Sequence, residues 1–188
     1  MPEVSFDELV ETMRKSAGVL QSASIPFVLA GGLAAWARGG PRTEHDVDFL
    51  VRPEDADRAL QAFDAAGWKT ERPPEGWLYK AYSDDGVLVD LIFNPSGGPV
   101  TDETIERADE LEVSALRLRA ASLDDVMVTK LLSLTEQEPD FGGVLELARA
   151  LREQIDWQDV RSRTEESPFA RAFFTLVEEL GVVEGASA

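Results

Sequence analysis

Two aspartates one residue apart, Asp46 and Asp48, are the first candidates for chemistry in this sequence. They close the stretch GGLAAWARGGPRTEHDVDFL, residues 31–50, just before an apolar run. Alternate side chains of a β-strand share a face, so the pattern predicts two carboxylates on one side and Val47 and Phe49 in a core on the other. Ionised carboxylates at this spacing repel each other unless a cation lies between them. A hard divalent cation with oxygen ligands, Mg²⁺ or Mn²⁺, suits such a pair.

A third carboxylate, Asp90, lies inside the apolar run VLVDLIF, residues 87–93. A lone charge in such a strand costs free energy unless it is paired, bound to a metal or close to solvent. An aspartate at a strand end that pairs with an arginine is the alternative, but beside Asp46 and Asp48 we favour a metal ligand. Three carboxylates holding two divalent ions suit phosphoryl or nucleotidyl transfer. One ion lowers the pKa of the attacking hydroxyl, and the other neutralises the triphosphate and the leaving group.

The glycine pair Gly31-Gly32 precedes these aspartates, where a predicted strand ends and a helix begins. Without a Cβ atom, backbone N–H groups at this position can approach phosphate oxygens. Turns also use glycine pairs routinely, so the pair alone is a weak signal. Its position before the Asp-x-Asp strand is what indicates a phosphate-binding role.

The elements that position these residues alternate between helix and strand as far as about residue 120. Helices are predicted over residues 6–22, 33–38, 53–66 and 101–108, from capping and periodicity signals. Strands are predicted over residues 25–30, 46–51, 68–72, 77–83, 87–93 and 112–119. Four further helices are predicted over 123–135, 140–153, 156–165 and 168–180. We therefore divide the chain into a core, 1–120, a C-terminal helical unit, 121–183, and a tail, 184–188.

Composition narrows the classes of function. The chain has 188 residues, 44% of them hydrophobic, no cysteine, and one histidine, His45, so thiolate and multi-histidine metal sites are excluded. No apolar window of about 18 residues predicts a membrane span, and we expect a cytoplasmic protein. The formal net charge of −18 is unfavourable for a broad nucleic-acid surface and suits metal ions, cationic ligands or a basic partner.

The pattern resembles the nucleotidyltransferase superfamily with the DNA polymerase β-type fold, over roughly residues 24–93. The residues that carry the resemblance are Gly31, Gly32, Arg42, Thr43, Asp46, Asp48 and Asp90. It implies an α+β fold: a mixed, mostly antiparallel sheet flanked by helices, followed by a C-terminal helical unit.

The resemblance also implies roles for residues. Three aspartates, Asp46, Asp48 and Asp90, would hold Mg²⁺ or Mn²⁺, and Gly31 and Gly32 would flank the triphosphate of the donor NTP. Many members have serine at the second glycine. The glycine form is similar to that of the AbiEii/MenT-type toxins and of the aminoglycoside and lincosamide nucleotidyltransferases.

Lys130 lies on the apolar stripe of the helix that follows Ser122, four residues after Val126 and four before Leu134. It either extends to the surface along its aliphatic stem or reaches a cleft and binds triphosphate. The AbiEii-like toxins similarly carry a lysine on a helix after the sheet and an aspartate further on. Asp140 is the candidate for that aspartate, but it equally resembles the first residue of a helix.

The roles of six further residues stay open. His45 precedes the first aspartate and has an orienting or structural role. Arg42 either contacts the nucleotide, as Thr43 would, or is a solvated loop residue. Aromatic side chains in strands stack on a base or sugar or belong to the core; the candidates are Trp77, Tyr79 and Tyr82.

Three functions compete. The first is a toxin-like, Mg-dependent nucleotidyltransferase that binds an NTP such as ATP. Its acceptor would be a tRNA 3′ end or a protein, and a cognate antitoxin is a possible partner. The second is a small-molecule nucleotidyltransferase with a cationic, aminoglycoside-like acceptor. The third is a non-catalytic toxin–antitoxin interaction protein. A basic cleft would favour RNA and an acidic rim a cation; the basic residues concerned are Arg117, Arg119, Lys130, Arg149 and Arg152.

Overall fold

A computed structural model describes residues 4–43 and 46–184. The helices are α1 Phe6–Ser22, α2 Gly31–Trp36, α3 Pro53–Ala65, α4 Asp102–Glu106, α5 Leu123–Ser133, α6 Gly142–Leu151, α7 Trp157–Arg163 and α8 Pro168–Glu179, with a 3₁₀ turn at Arg152–Gln154. The strands are β1 Val28–Leu29, β2 Asp46–Leu50, β3 Lys69–Glu71, β4 Leu78–Tyr82, β5 Leu88–Ile92, β6 Asp109–Val113 and β7 Leu116–Ala120.

All seven strands form one sheet in the order β3-β4-β5-β2-β1-β7-β6. The β2–β5 and β1–β7 pairs are parallel, and the other four pairs are antiparallel. The predicted α+β architecture with a mixed, mostly antiparallel sheet is therefore confirmed. Strand β2 lies near the middle of the sheet, with β5 on one side and β1 on the other.

Apolar and acidic residues alternate in β2 because one face of this strand packs into the core. Val47 and Phe49 of β2 are fully buried, as are Leu9 and Met13 of α1. A capping box fixes the start of α1, since Ser5 accepts a hydrogen bond from the Glu8 N–H while the Glu8 carboxylate accepts one from the Ser5 N–H. Buried residues of the sheet and of the C-terminal helices belong to one hydrophobic cluster. The division of the chain at residue 120 stays a prediction.

Two elements differ from the expectation. The predicted strand over residues 25–30 is only two residues long, and the predicted strand over 112–119 is a hairpin of β6 and β7. Its turn is made by Ser114 and Ala115, both with positive φ. Glycine or asparagine normally marks such a turn, so the local sequence carries no signal for it.

None of the helices in the described ranges is long and apolar enough to cross a membrane. The predicted tail falls mostly outside the described residues, because only Glu184 of it is described.

Candidate active site

Three carboxylates meet on the face of the sheet opposite the core. In the parallel register of β2 and β5, Asp48 lies directly opposite Asp90, and Asp46 precedes Asp48 on the same face of β2. One carboxylate oxygen from each residue lies within 4.8 Å of the other two. The structure thus brings together the three aspartates that the sequence singled out, and their role as metal ligands remains a prediction.

Burial, and after it mutual repulsion, disfavours the ionised form of Asp48 and Asp90. Burial, then the neighbouring charges of Asp46 and Asp90, raises the pKa of Asp48 to about 8, against the lowering effects of Lys130 and Lys80. Burial also raises the pKa of Asp90, and the nearby Lys80 opposes that rise. A cation beside Asp48 and Asp90 would stabilise the ionised form of both carboxylates.

The donor set fits a hard divalent cation. It consists only of carboxylate oxygens, which Mg²⁺ and Mn²⁺ prefer. Asp90 Oδ1 is buried and accepts no hydrogen bond from the described residues. The Lys80 ammonium lies 3.4 Å from that oxygen, close enough for an ion pair but without hydrogen-bond alignment. An oxygen left in this state is available to a metal ion.

The glycine pair is required by close approach of the site's own residues. Gly31 has φ +57°, and a Cβ atom there would lie 1.8 Å from Asp48 Oδ2. A Cβ at Gly32 would lie 2.6 Å from Thr43 Oγ1. These contacts give a packing reason for both glycines, beside the phosphate role that the sequence suggested.

A cleft of about 710 Å³ opens beside the carboxylates. Asp48 and Gly31 lie on one wall, and Thr129 and Lys130 of α5 lie on another. Lys130 is half-buried, and its charge lowers the pKa of Asp48. Of the two positions that the sequence allowed for this lysine, the structure has the one in the cleft.

The cleft is acidic. Lys130 is the one basic residue among the described residues that line it, against the acidic residues Asp48, Glu75, Asp125 and Glu138. Buried Asp125 is already paired with Arg163 and Arg107. Glu75 and Glu138 are exposed at the rim.

The basic patch that would favour RNA does not form in this cleft. Arg117 and Arg119 line a separate depression beside Phe27. Arg152 pairs with its neighbour Glu153 and, like Arg149, is absent from the described lining of the cleft.

Of the three aromatic candidates, one lines the cleft and two have partners elsewhere. Trp77 lines the cleft and is 40% exposed. Tyr79 packs against Phe93 with ring centroids 4.9 Å apart, and Tyr82 donates a hydrogen bond from its hydroxyl to Glu71. Only Trp77 among them, within the described residues, lines the cleft.

The remaining candidates have local partners. Arg42 is exposed, and its guanidinium lies over the Phe6 ring, 4.9 Å from the ring centroid. Asp140 lies one residue before the N-cap of α6, and its Oδ1 accepts a hydrogen bond from the Gly142 N–H at 2.8 Å, so it has a local partner at the start of that helix. His45 lies outside the described residues.

Sequence reasoning missed Lys80 and the two rim glutamates. Lys80 stands in the middle of the otherwise uncharged strand LYKAY, which was a signal, but its partner follows only from the register that sets it opposite Asp90. Glu75 and Glu138 lie in two loops far apart in sequence, and only the tertiary structure brings them to one cleft.

Solved structures share this fold. The antibiotic-resistance factor ANT(2'')-Ia, in solution, superposes with a TM-score of 0.62 at 15% identity, covering 92% of this chain and 96% of that one. ANT(2'')-Ia in complex with adenylyl-2''-tobramycin gives 0.61 at 16% identity, covering 89% and 97%. The lincosamide antibiotic adenylyltransferase LnuA, bound to lincomycin, gives 0.54 at 15% identity, covering 77% and 97%. At these identities the likeness shows the fold.

Curated proteins provide no match to this sequence. The model of a family described as uncharacterised nucleotidyltransferase does match, over residues 13–178, which is most of the chain. The chain therefore belongs to this nucleotidyltransferase family and is an enzyme of that class.

Proposed function

We propose that this enzyme transfers a nucleoside monophosphate from an NTP, with Mg²⁺ or Mn²⁺, to a hydroxyl group of a cationic small molecule. The observation that carries the proposal is the three-carboxylate cluster, one member of which, Asp48, lines a cleft whose rim is acidic. The cluster accounts for the donor side of the reaction, and the rim accounts for the acceptor side.

On the donor side, Asp46, Asp48 and Asp90 would hold the divalent ion. When bound, that ion supplies activation of the attacking hydroxyl and neutralises charge on the triphosphate. The Lys130 ammonium lies in the same cleft and offers a second positive charge for the triphosphate. Gly31 leaves room for the Asp48 carboxylate beside the backbone.

On the acceptor side, Glu75 and Glu138 give the rim a negative potential that attracts a cation. Trp77 offers an apolar ring face at the same rim, on which a sugar or other ring can stack. The structural neighbours support this choice, because the two ANT(2'')-Ia structures concern an antibiotic-resistance factor and an adenylylated tobramycin, and LnuA is a lincosamide adenylyltransferase.

The toxin-like alternative, with tRNA or protein as acceptor and a cognate antitoxin, stays a prediction. An RNA acceptor needs lysines and arginines to neutralise phosphates close to the site of transfer. The described lining of the cleft offers only Lys130, which the donor triphosphate would also need. The acidic rim therefore favours the small-molecule acceptor.

The test is a transfer assay with each α-³²P-labelled NTP and Mg²⁺, offering aminoglycosides, lincosamides and total tRNA separately. We expect label on a cationic small molecule and none with the Asp46→Ala/Asp48→Ala variant. Label on tRNA alone would reject the proposed acceptor but keep the transferase chemistry. Label on no acceptor would count against the proposal as a whole.

A further inference from the structure

A row of charged residues crosses four adjacent strands on the face that carries the carboxylate cluster. The registers set Glu71 of β3 opposite Lys80 of β4, Lys80 opposite Asp90 of β5, and Asp90 opposite Asp48 of β2. Directly opposed side chains in neighbouring strands share a face and lie close together. One lysine therefore separates a glutamate at the sheet edge from the cluster.

Lys80 pairs with the inner of its two acidic neighbours. Its Nζ lies 3.4 Å from Asp90 Oδ1, and the Asp90 side chain is only 10% exposed. Glu71, on the outer side, accepts a hydrogen bond from the Tyr82 hydroxyl at 2.9 Å. The Lys80 side chain keeps 26% of its surface exposed, so it has a route to solvent if another cation takes its position.

The three carboxylates repel one another, so they need a cation close by even before a metal ion binds. Carboxylates within 4.8 Å of each other, one of them almost fully buried, repel strongly where water cannot screen them. Lys80 and Lys130 are the cations whose charges act on Asp48. Lys130 lines the cleft from helix α5, whereas backbone pairing fixes Lys80 beside Asp90.

We propose that Lys80 is a positioning residue: a built-in counter-ion that stabilises the three-carboxylate site before the divalent ion binds, and whose charge that ion then replaces. The inference rests on the metal centre of the proposed function. Its consequence is that Lys80 and the divalent ion contribute non-additively to stability, since each supplies the charge that the other would supply.

The experiment measures thermal unfolding of the full chain in EDTA and in saturating MgCl₂. The variants are Lys80→Met, Lys80→Arg and, as a matched control, Lys69→Met, which removes the same charge from an exposed lysine on β3 whose Nζ lies 5.1 Å from the centre of the Tyr82 ring. In EDTA we expect Lys80→Met to lower Tm by roughly 3 to 6 °C more than the control does. Mg²⁺ should raise the Tm of Lys80→Met more than that of the wild type, and Lys80→Arg should behave like the wild type.

Two results would overturn the inference. The first is a decrease in Tm, relative to the wild type, that is the same for Lys80→Met in EDTA and in Mg²⁺. The second is a decrease in Tm for Lys80→Met in EDTA that is no larger than the decrease for Lys69→Met. A wild-type Tm that neither Mg²⁺ nor Mn²⁺ changes would instead reject the metal centre, and the exchange of charges with it. The two failures are thus distinguishable in one data set.

If Lys80→Met does not fold in EDTA, a second substitution at its partner, Asp90, keeps the inference testable. Adding Asp90→Asn to Lys80→Met removes the charge that the lysine neutralises, so the double variant should fold, and losing Lys80 should lower Tm little in the Asp90→Asn background. An equal loss of Tm with and without Asp90 would show that Lys80 acts through some other contact, and would overturn the inference.

Discussion

Asp48 and Asp90 are directly opposed residues of two parallel strands, so their carboxylates are held together by backbone pairing rather than by side-chain conformation. Lys130 and Lys80 offset the repulsion only in part, and the pKa of Asp48 rises to about 8, mainly through burial and then through Asp46 and Asp90. In the absence of a divalent ion, the site is therefore a source of instability. This relationship makes the carboxylate cluster testable without any substrate.

The first prediction concerns pH and the stability of the metal-free protein. Because folding raises the Asp48 pKa from 3.8 to about 8, the folded state binds a proton more tightly, and stability falls as pH rises from about 4 to about 8. In EDTA, Asp48→Asn should remove part of that fall and unfold at a higher temperature than the wild type at pH 8. Tm measured from pH 4.5 to 8.5 tests this. Parallel pH curves for the two proteins would contradict it.

The second prediction concerns Gly31. An alanine there adds a Cβ that would lie 1.8 Å from Asp48 Oδ2, so the carboxylate must move. Gly31→Ala should abolish the stabilisation by Mg²⁺ and lower transfer activity at least ~100-fold, since small displacements in a site have large effects on rate. The control is Gly39→Ala, because Gly39 also has positive φ, +94°, but has open space around the added Cβ. Both variants lose stability through backbone strain, of about 1–3 kcal/mol. Equal loss of activity in both would rule out the carboxylate contact as the cause.

The third prediction concerns Lys130 and the donor. If its ammonium contacts the triphosphate, Lys130→Met should raise KM for the NTP by about 10- to 100-fold, the loss expected for a charged hydrogen bond of about 1.5–3 kcal/mol. Lys15→Met removes the same charge from an exposed position on α1 and serves as the control. Steady-state kinetics at saturating acceptor measure both. An unchanged KM for Lys130→Met would place this lysine outside donor binding.

The fourth prediction concerns the acidic rim. Glu75→Gln/Glu138→Gln keeps the shape of both side chains and removes two negative charges from the cleft. We expect KM for a cationic acceptor to rise about tenfold with kcat little changed, because the rim attracts the acceptor without touching the reacting atoms. The effect should shrink at high salt. Glu136→Gln is the matched control, because Glu136 is an exposed glutamate in the loop of Glu138 and does not line the cleft. A fall in kcat with constant KM would disagree with this role.

Local signals predicted the parts of this molecule that depend on neighbouring residues. The alternation of Asp46, Val47, Asp48 and Phe49 predicted which side chains enter the core, and Ser5 with Glu8 marked the start of α1. Both signals arise within a few residues, where side-chain direction and hydrogen bonding are set by the local backbone.

Other features depend on pairing between distant segments or lack their usual marker residues. Lys80 could be seen as a charge in an apolar strand, but its pairing with Asp90 requires the register of β4 on β5. The β6–β7 turn uses Ser114 and Ala115 at positive φ, which no propensity predicts. The acidic rim brings together Glu75 of the β3–β4 loop and Glu138 of the α5–α6 loop, which depends on tertiary packing alone.

The most direct test of the central claim is an anomalous-diffraction experiment on crystals grown with Mn²⁺ and a non-hydrolysable NTP analogue. We predict a Mn²⁺ peak coordinated by oxygens of Asp46, Asp48 and Asp90, at about 2.2 Å, with the analogue's phosphates on the same ion and Lys130 beside them. Nucleotide bound elsewhere, for example in the depression beside Arg117 and Arg119, with no Mn²⁺ at the three carboxylates, would contradict the account.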